Sequence, residues 1–143
     1  IRFAAVQLGG AEAFANVTLE HLKKQERVED TYQQTRIAKI AMLLESGRLW
    51  IEAAGKLADT TDESSSAELV NYANMVRTAI MDICNEVIKL SERSVGLQGF
   101  MQDHPMEKLH RDLTTYLKQP GPDYALANIG KFTAQLKDMN HVK

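Results

Sequence analysis

Glu107-x-x-His110 sets a carboxylate and an imidazole three residues apart, which on a helix is one face, and di-iron carboxylate bundles hold their metal with that spacing. Such a centre also needs a second E-x-x-H and two further glutamates on facing helices. The sequence has no second E-x-x-H, so Glu107, His110, Arg111 and Asp112 read as a polar cluster fixing a helix and its loop, with no metal. Asp103 and Glu107 form a further pair of acids, but the helix dipole favours acids in a first turn without any catalytic role. Arg111 and Asp112 are neighbours that point in different directions, so each is expected to pair elsewhere. Cys84 is the single cysteine; on an apolar helix face it reads as a small buried filler. His21 and His141 lie on polar or terminal stretches and carry no signal. No G-x-S-x-G, P-loop, H-E-x-x-H or dinucleotide fingerprint is present.

The elements that must position this cluster centre on Arg93 to Asp123. Gly96 and Gly99 supply backbone freedom at a turn. Asp103 or His104 can cap a helix whose first residue is Pro105, where a missing N–H costs nothing. Pro120, Gly121 and Pro122 then stop that helix. Upstream, Phe3, Val6, Gly10, Ala13 and Val17 recur at three- and four-residue steps and predict a helix from Ile1 to about Lys24. Its Gly9-Gly10 pair is read as the close approach of a neighbouring helix. After a charged break at Lys23–Asp30, a second helix runs to about Leu57 on Ile37, Ile40, Ala41, Leu44, Ile51 and Ala54, broadened by Leu49 and Trp50. Asp59 to Ser65 is a polar loop, and Ser65-Ser66-Ala67-Glu68 matches a capping box. The third helix, to about Ser94, carries an apolar seam from Leu69 through Val76, Ile80, Ile83 and Val87 to Leu90. Pro105–Lys118 and Asp123–Met139 are expected as fourth and fifth helices, and no strand-like alternation competes. The fold class is therefore all-α: an up-down four-helix bundle with an additional short C-terminal helix, one domain over residues 1–143.

Charge and composition narrow the partners. A net charge of -2 and a pI near 6.1, without a basic block, argue against nucleic acid and anionic membranes. No apolar run reaches the ~20 residues that span a bilayer. With one cysteine there is no internal disulfide, and a cytoplasmic setting is expected. A chain that starts at Ile1, inside a helix, is expected to be a fragment.

Gly96, Gly99-Phe100, His104-Pro105-Met106-Glu107-Lys108-Leu109 and Arg111-Asp112 resemble the glycine-rich turn and the Y/H-P-x-E-x-L-x-R-D helix of the acyl-CoA dehydrogenase family. Arg2 to Ala11 is similar to that family's entry into its C-terminal helical domain, and Tyr32-Gln33 with Ala41-Met42 to its second helix. The resemblance implies the C-terminal bundle of a larger flavoprotein, with FAD as cofactor and an acyl-CoA or other small-molecule substrate. It implies a homodimer or homotetramer whose core this domain builds. Arg93, Gly96 and Gly99 are the flavin-proximal positions it implies. Three departures stand out. The family's usual catalytic glutamate falls at Pro120, so no catalytic residue is assigned. The glutamine before the glycine turn falls at Arg93, and the turn's second glycine at Leu97. The family's R-x-x-F-G element would lie around Leu22 to Glu26, where neither the Phe-Gly pair nor an aligned arginine survives. Three functions fit: FAD-dependent α,β-dehydrogenation of an acyl thioester, flavin-dependent oxygenation, and non-catalytic oligomerisation or partner binding.

Overall fold

A computed structural model describes residues 1–62, 66–118 and 121–138. Its five α-helices are α1 (Arg2–Lys24), α2 (Thr31–Thr60), α3 (Ser66–Val95), α4 (Pro105–Leu117) and α5 (Pro122–Thr133), with a short 3₁₀ helix at Gly96–Phe100. No strand occurs among the described residues. Helices α1 and α3 run parallel: the Cys84 thiol meets the Gln7 carbonyl at 3.4 Å, and Arg27 reaches Ser94. Helix α2 is antiparallel to both, with Glu12 on Arg48 and Arg36 on Arg93. Helix α4 is antiparallel to α1, since Phe3 stacks on Tyr116, Phe14 meets His110 and His21 meets His104. This is the expected up-down bundle, with α5 laid against α3.

The α1–α2 turn closes without glycine or proline. Arg27 N–H donates to the Leu22 carbonyl at 2.9 Å and Glu26 N–H to Lys23 at 3.1 Å, the paired bonds of a Schellman ending. That ending needs a left-handed residue, and Glu26 fills the place at φ 54°. A side chain there is strained by roughly 1–2 kcal/mol. Glu26→Gly should therefore raise stability by about 1 kcal/mol, read as a higher urea midpoint at unchanged slope. The Asp30 carboxylate then caps α2, accepting from Tyr32 N–H at 2.8 Å and Gln33 N–H at 3.0 Å.

The core seam of α3 is as expected, with Val76, Ile80, Ile83, Val87 and Leu90 buried. The face of α1 is corrected. Ala4, Leu8, Ala11, Phe14 and Leu22 are buried, whereas Phe3 and Val6 are 51% and 61% exposed. The Phe3–Val6 stripe flanks α4 instead of entering the core. Gly10 does admit a close neighbour, since a Cβ there would lie 2.9 Å from Leu113 Cδ1, but Gly9 has nothing near it. In α2, Ala41 and Leu49 face outwards. In α5, Leu126 is exposed and Ala125 buried. Helix α2 extends to Thr60, and α5 ends at Thr133 before a run of turns. Ser65 of the expected capping box, together with Pro120, Met139 and His141, lies outside the described residues.

Candidate functional site

Helix α3 ends where Gly96 turns the chain at φ +75°. Its last carbonyls carry the negative end of the helix dipole and are met by cations. Arg36 Nη1 donates to the Arg93 carbonyl at 3.3 Å, and Arg27 Nη1 to the Ser94 carbonyl at 3.5 Å. Arg93 itself is exposed, and its side chain has no partner among the described residues. Three arginines thus gather at one helix end. Two of them are not legible in the motif: the family pattern would put its arginine around Leu22–Glu26, Arg27 lies one residue further on, and Arg36 arrives from α2.

The two expected glycines differ in kind. A Cβ at Gly96 would meet nothing within 4 Å, so only its positive φ demands glycine there. Gly99 is buried, and a Cβ would lie 2.7 Å from Met106 Sδ and 3.2 Å from Val95 Cγ1, so packing demands it. Between them Leu97 is 80% exposed, with Phe100 and Met101 also open to solvent. Gln33, the glutamine of the second-helix match, is buried, and its Oε1 has no partner among the described residues.

Around α4 the polar cluster divides. Glu107 bonds Arg111 at 3.2 Å within the helix, and Asp112 lies 3.9 Å from Arg111. His110 Nε2 reaches across to Glu92 of α3 at 2.8 Å, with Phe14 and Phe100 against its ring. Glu107 and His110 therefore serve different helices, and no group of three or more metal-binding side chains exists among the described residues. His110 also lines a cleft of about 470 Å³ between α3 and α4, bordered by Asn85, Thr114, Lys118 and Pro122. Cys84 is fully buried, and burial pushes its thiol up to about 12, so it is an inert filler as expected.

The loop before α4 is tied to α1. His104 caps α4, its Nδ1 accepting from Met106 N–H at 3.2 Å, and its Nε2 lies 3.2 Å from Nδ1 of His21. Burial first, then the electrostatic influence of His104 and of the cations Arg27 and Lys24, lowers the proton affinity of His21. This pairing is not legible in the linear order of residues, because the two histidines lie 83 residues apart.

Residues 1–118 match the family described as acyl-CoA dehydrogenase, C-terminal domain. The chain is also similar to the mitochondrial isobutyryl-CoA dehydrogenase of Dictyostelium discoideum, at 27% identity over 128 residues. That match covers 86% of the chain and 30% of the relative. No solved structure matches the chain. No helix among the described residues is long and apolar enough to cross a membrane.

Proposed function

Since the chain belongs to the acyl-CoA dehydrogenase family as a C-terminal domain, we propose that it works within a larger flavoprotein performing FAD-dependent α,β-dehydrogenation of an acyl-CoA thioester. Its part is to cover one side of the flavin site and to form the core of a homodimer or homotetramer. The observation that carries this reading is the α3 terminus: an exposed Arg93 guanidinium, without a partner among the described residues, beside the open Gly96 turn and backed by Arg27 and Arg36. Cations at an uncrowded turn suit the pyrophosphate of a dinucleotide. The exposed Leu97 and Phe100 offer apolar surface to its rings or to a covering domain. These residues fit FAD, which when bound supplies the hydride acceptor for the reaction. Arg93 and Gly96 would contact it, and Gly99 would set the turn by packing under it. The exposed Phe3 and Val6 on α1 and Met42 and Leu49 on α2 support burial against other subunits or domains. A cytoplasmic setting is part of the proposal, although the named relative is mitochondrial.

Pro120 holds no proton-accepting group, so this reading gives the chain binding and orientation and assigns no base at that position. The same residue favours a second reading, flavin-dependent oxygenation, which needs no glutamate there. The test is the visible spectrum of the full-length protein with excess FAD, followed by anaerobic titration with acyl-CoA thioesters including isobutyryl-CoA. Dehydrogenation predicts that one thioester bleaches the flavin. A bound flavin that no thioester reduces favours oxygenation, and absence of flavin binding would reject both in favour of a helical interaction domain.

A further inference from the structure

We propose that His21 and His104 form an acid-operated latch fastening the segment between the glycine turn and α4 to the end of α1. The hydrogen bonds fix the protonation of both rings. Met106 N–H donates to His104 Nδ1, so that nitrogen is bare and the ring proton sits on Nε2. His104 Nε2–H then donates to His21 Nδ1 at 3.2 Å, which leaves the proton of His21 on its Nε2. The rings meet edge to face with centroids 5.2 Å apart. A shared metal ion is the rival reading of two facing histidines. Coordination through His104 Nε2 would require the proton on Nδ1, where the bond from Met106 excludes it.

One proton at either bare nitrogen breaks the chain. On His104 Nδ1 it turns the acceptor of the helix cap into a donor facing another donor. On His21 Nδ1 it does the same to the inter-helix bond. Burial and the cations around His21 resist that proton: Lys24 on α1 and Arg27 on the connection, while the His104 ring opposite turns its N–H towards the same nitrogen. Arg27 is itself held on the end of α3, where Arg93 also lies. On the α4 side, Asp103 precedes His104, and the Glu107 carboxylate is engaged by Arg111. The carbonyl end of α1 favours a cation at position 21, but burial and the positive neighbours prevail, and the proton affinity of His21 is lowered from the usual 6.5. The sign follows. An unfolded His21 binds its proton more readily than the folded one, so the latch contributes fully above pH 6.5 and its contribution is lost as the pH falls through the lower folded value. Opening frees His104 and the Met101 carbonyl that accepts its backbone N–H at 2.9 Å, and Met101 directly follows the turn.

This latch does not depend on the flavin reading. It is tested by long-range ¹H–¹⁵N spectra of the histidine rings and by amide exchange at Met106, from about pH 8 to about pH 5. Both rings should carry the Nε2 proton at the alkaline end. On acidification, Met106 exchange, corrected for the intrinsic rate, should rise about five- to tenfold, the loss expected of one helix cap. His104→Asn keeps a capping side chain without a titrating group, and its Met106 protection should stay level across the range. An Nδ1–H tautomer on His104 at the alkaline end, no acid-induced loss in the native protein, or an equal loss in His104→Asn would each overturn the latch.

Discussion

Phe14→Ala is expected to cost about 3–5 kcal/mol, the range for emptying a fully buried aromatic site. Phe14 is completely buried on the face α1 turns into the bundle, and its ring also packs against His110 of α4. Truncation removes that apolar burial and leaves a cavity walled by rigid helices, which cannot collapse without moving α4. Phe3→Ala is the matched control. Phe3 is half exposed and, among the described residues, stacks on Tyr116, so its loss should cost about 1 kcal/mol or less. Urea unfolding of the two variants separates the registers, because the apolar periodicity of the sequence places Phe3 in the core and the structure places Phe14 there. A larger loss for Phe3→Ala would reject the structural register.

The contrast between α3 and α1 explains how far the fold could be read in advance. On α3 the large β-branched and leucine side chains recur along one stripe, so burial follows periodicity directly. On α1 the buried stripe includes Gln7 and Thr18. Thr18 satisfies its hydroxyl on the Phe14 carbonyl at 2.9 Å, a bond within the helix that a hydropathy pattern does not register. The apolar residues one step round, Phe3 and Val6, form a tidier pattern and lie on the flank. The α1–α2 turn was legible as a break but not as a Schellman ending, because its left-handed position holds glutamate where glycine is usual. Sequence spacing found the α4 start and the Gly96 turn, where single residues dictate local geometry. It did not find the Arg27 and Arg36 caps or the His21–His104 bond, which depend on helices docking over long sequence separations.

Those arginine caps shape the second large effect. Arg93→Glu should weaken FAD binding to the full-length protein by about 10- to 100-fold, since a charge-assisted hydrogen bond to an anion is worth roughly 1.5–3 kcal/mol and tenfold in affinity is about 1.4 kcal/mol. Reversing the charge adds repulsion to the lost bond. Folding should change by no more than about 1 kcal/mol, the range for an acid replacing a base in the last turn of a helix, because the Arg93 side chain is exposed and has no partner among the described residues. Arg36→Ala differs in kind. It removes a donor from the α3 terminus and should lower stability as well as flavin affinity, so a loss of flavin there does not separate binding from folding. Fluorescence titration of the apoprotein with FAD, paired with a melting curve for each variant, makes the distinction. An Arg93→Glu protein that melts normally and binds FAD as tightly as the native chain would remove the α3 terminus from the flavin site. A normal melt with weakened binding would favour placing Arg93 against the cofactor, because the fold survives the change of that side chain.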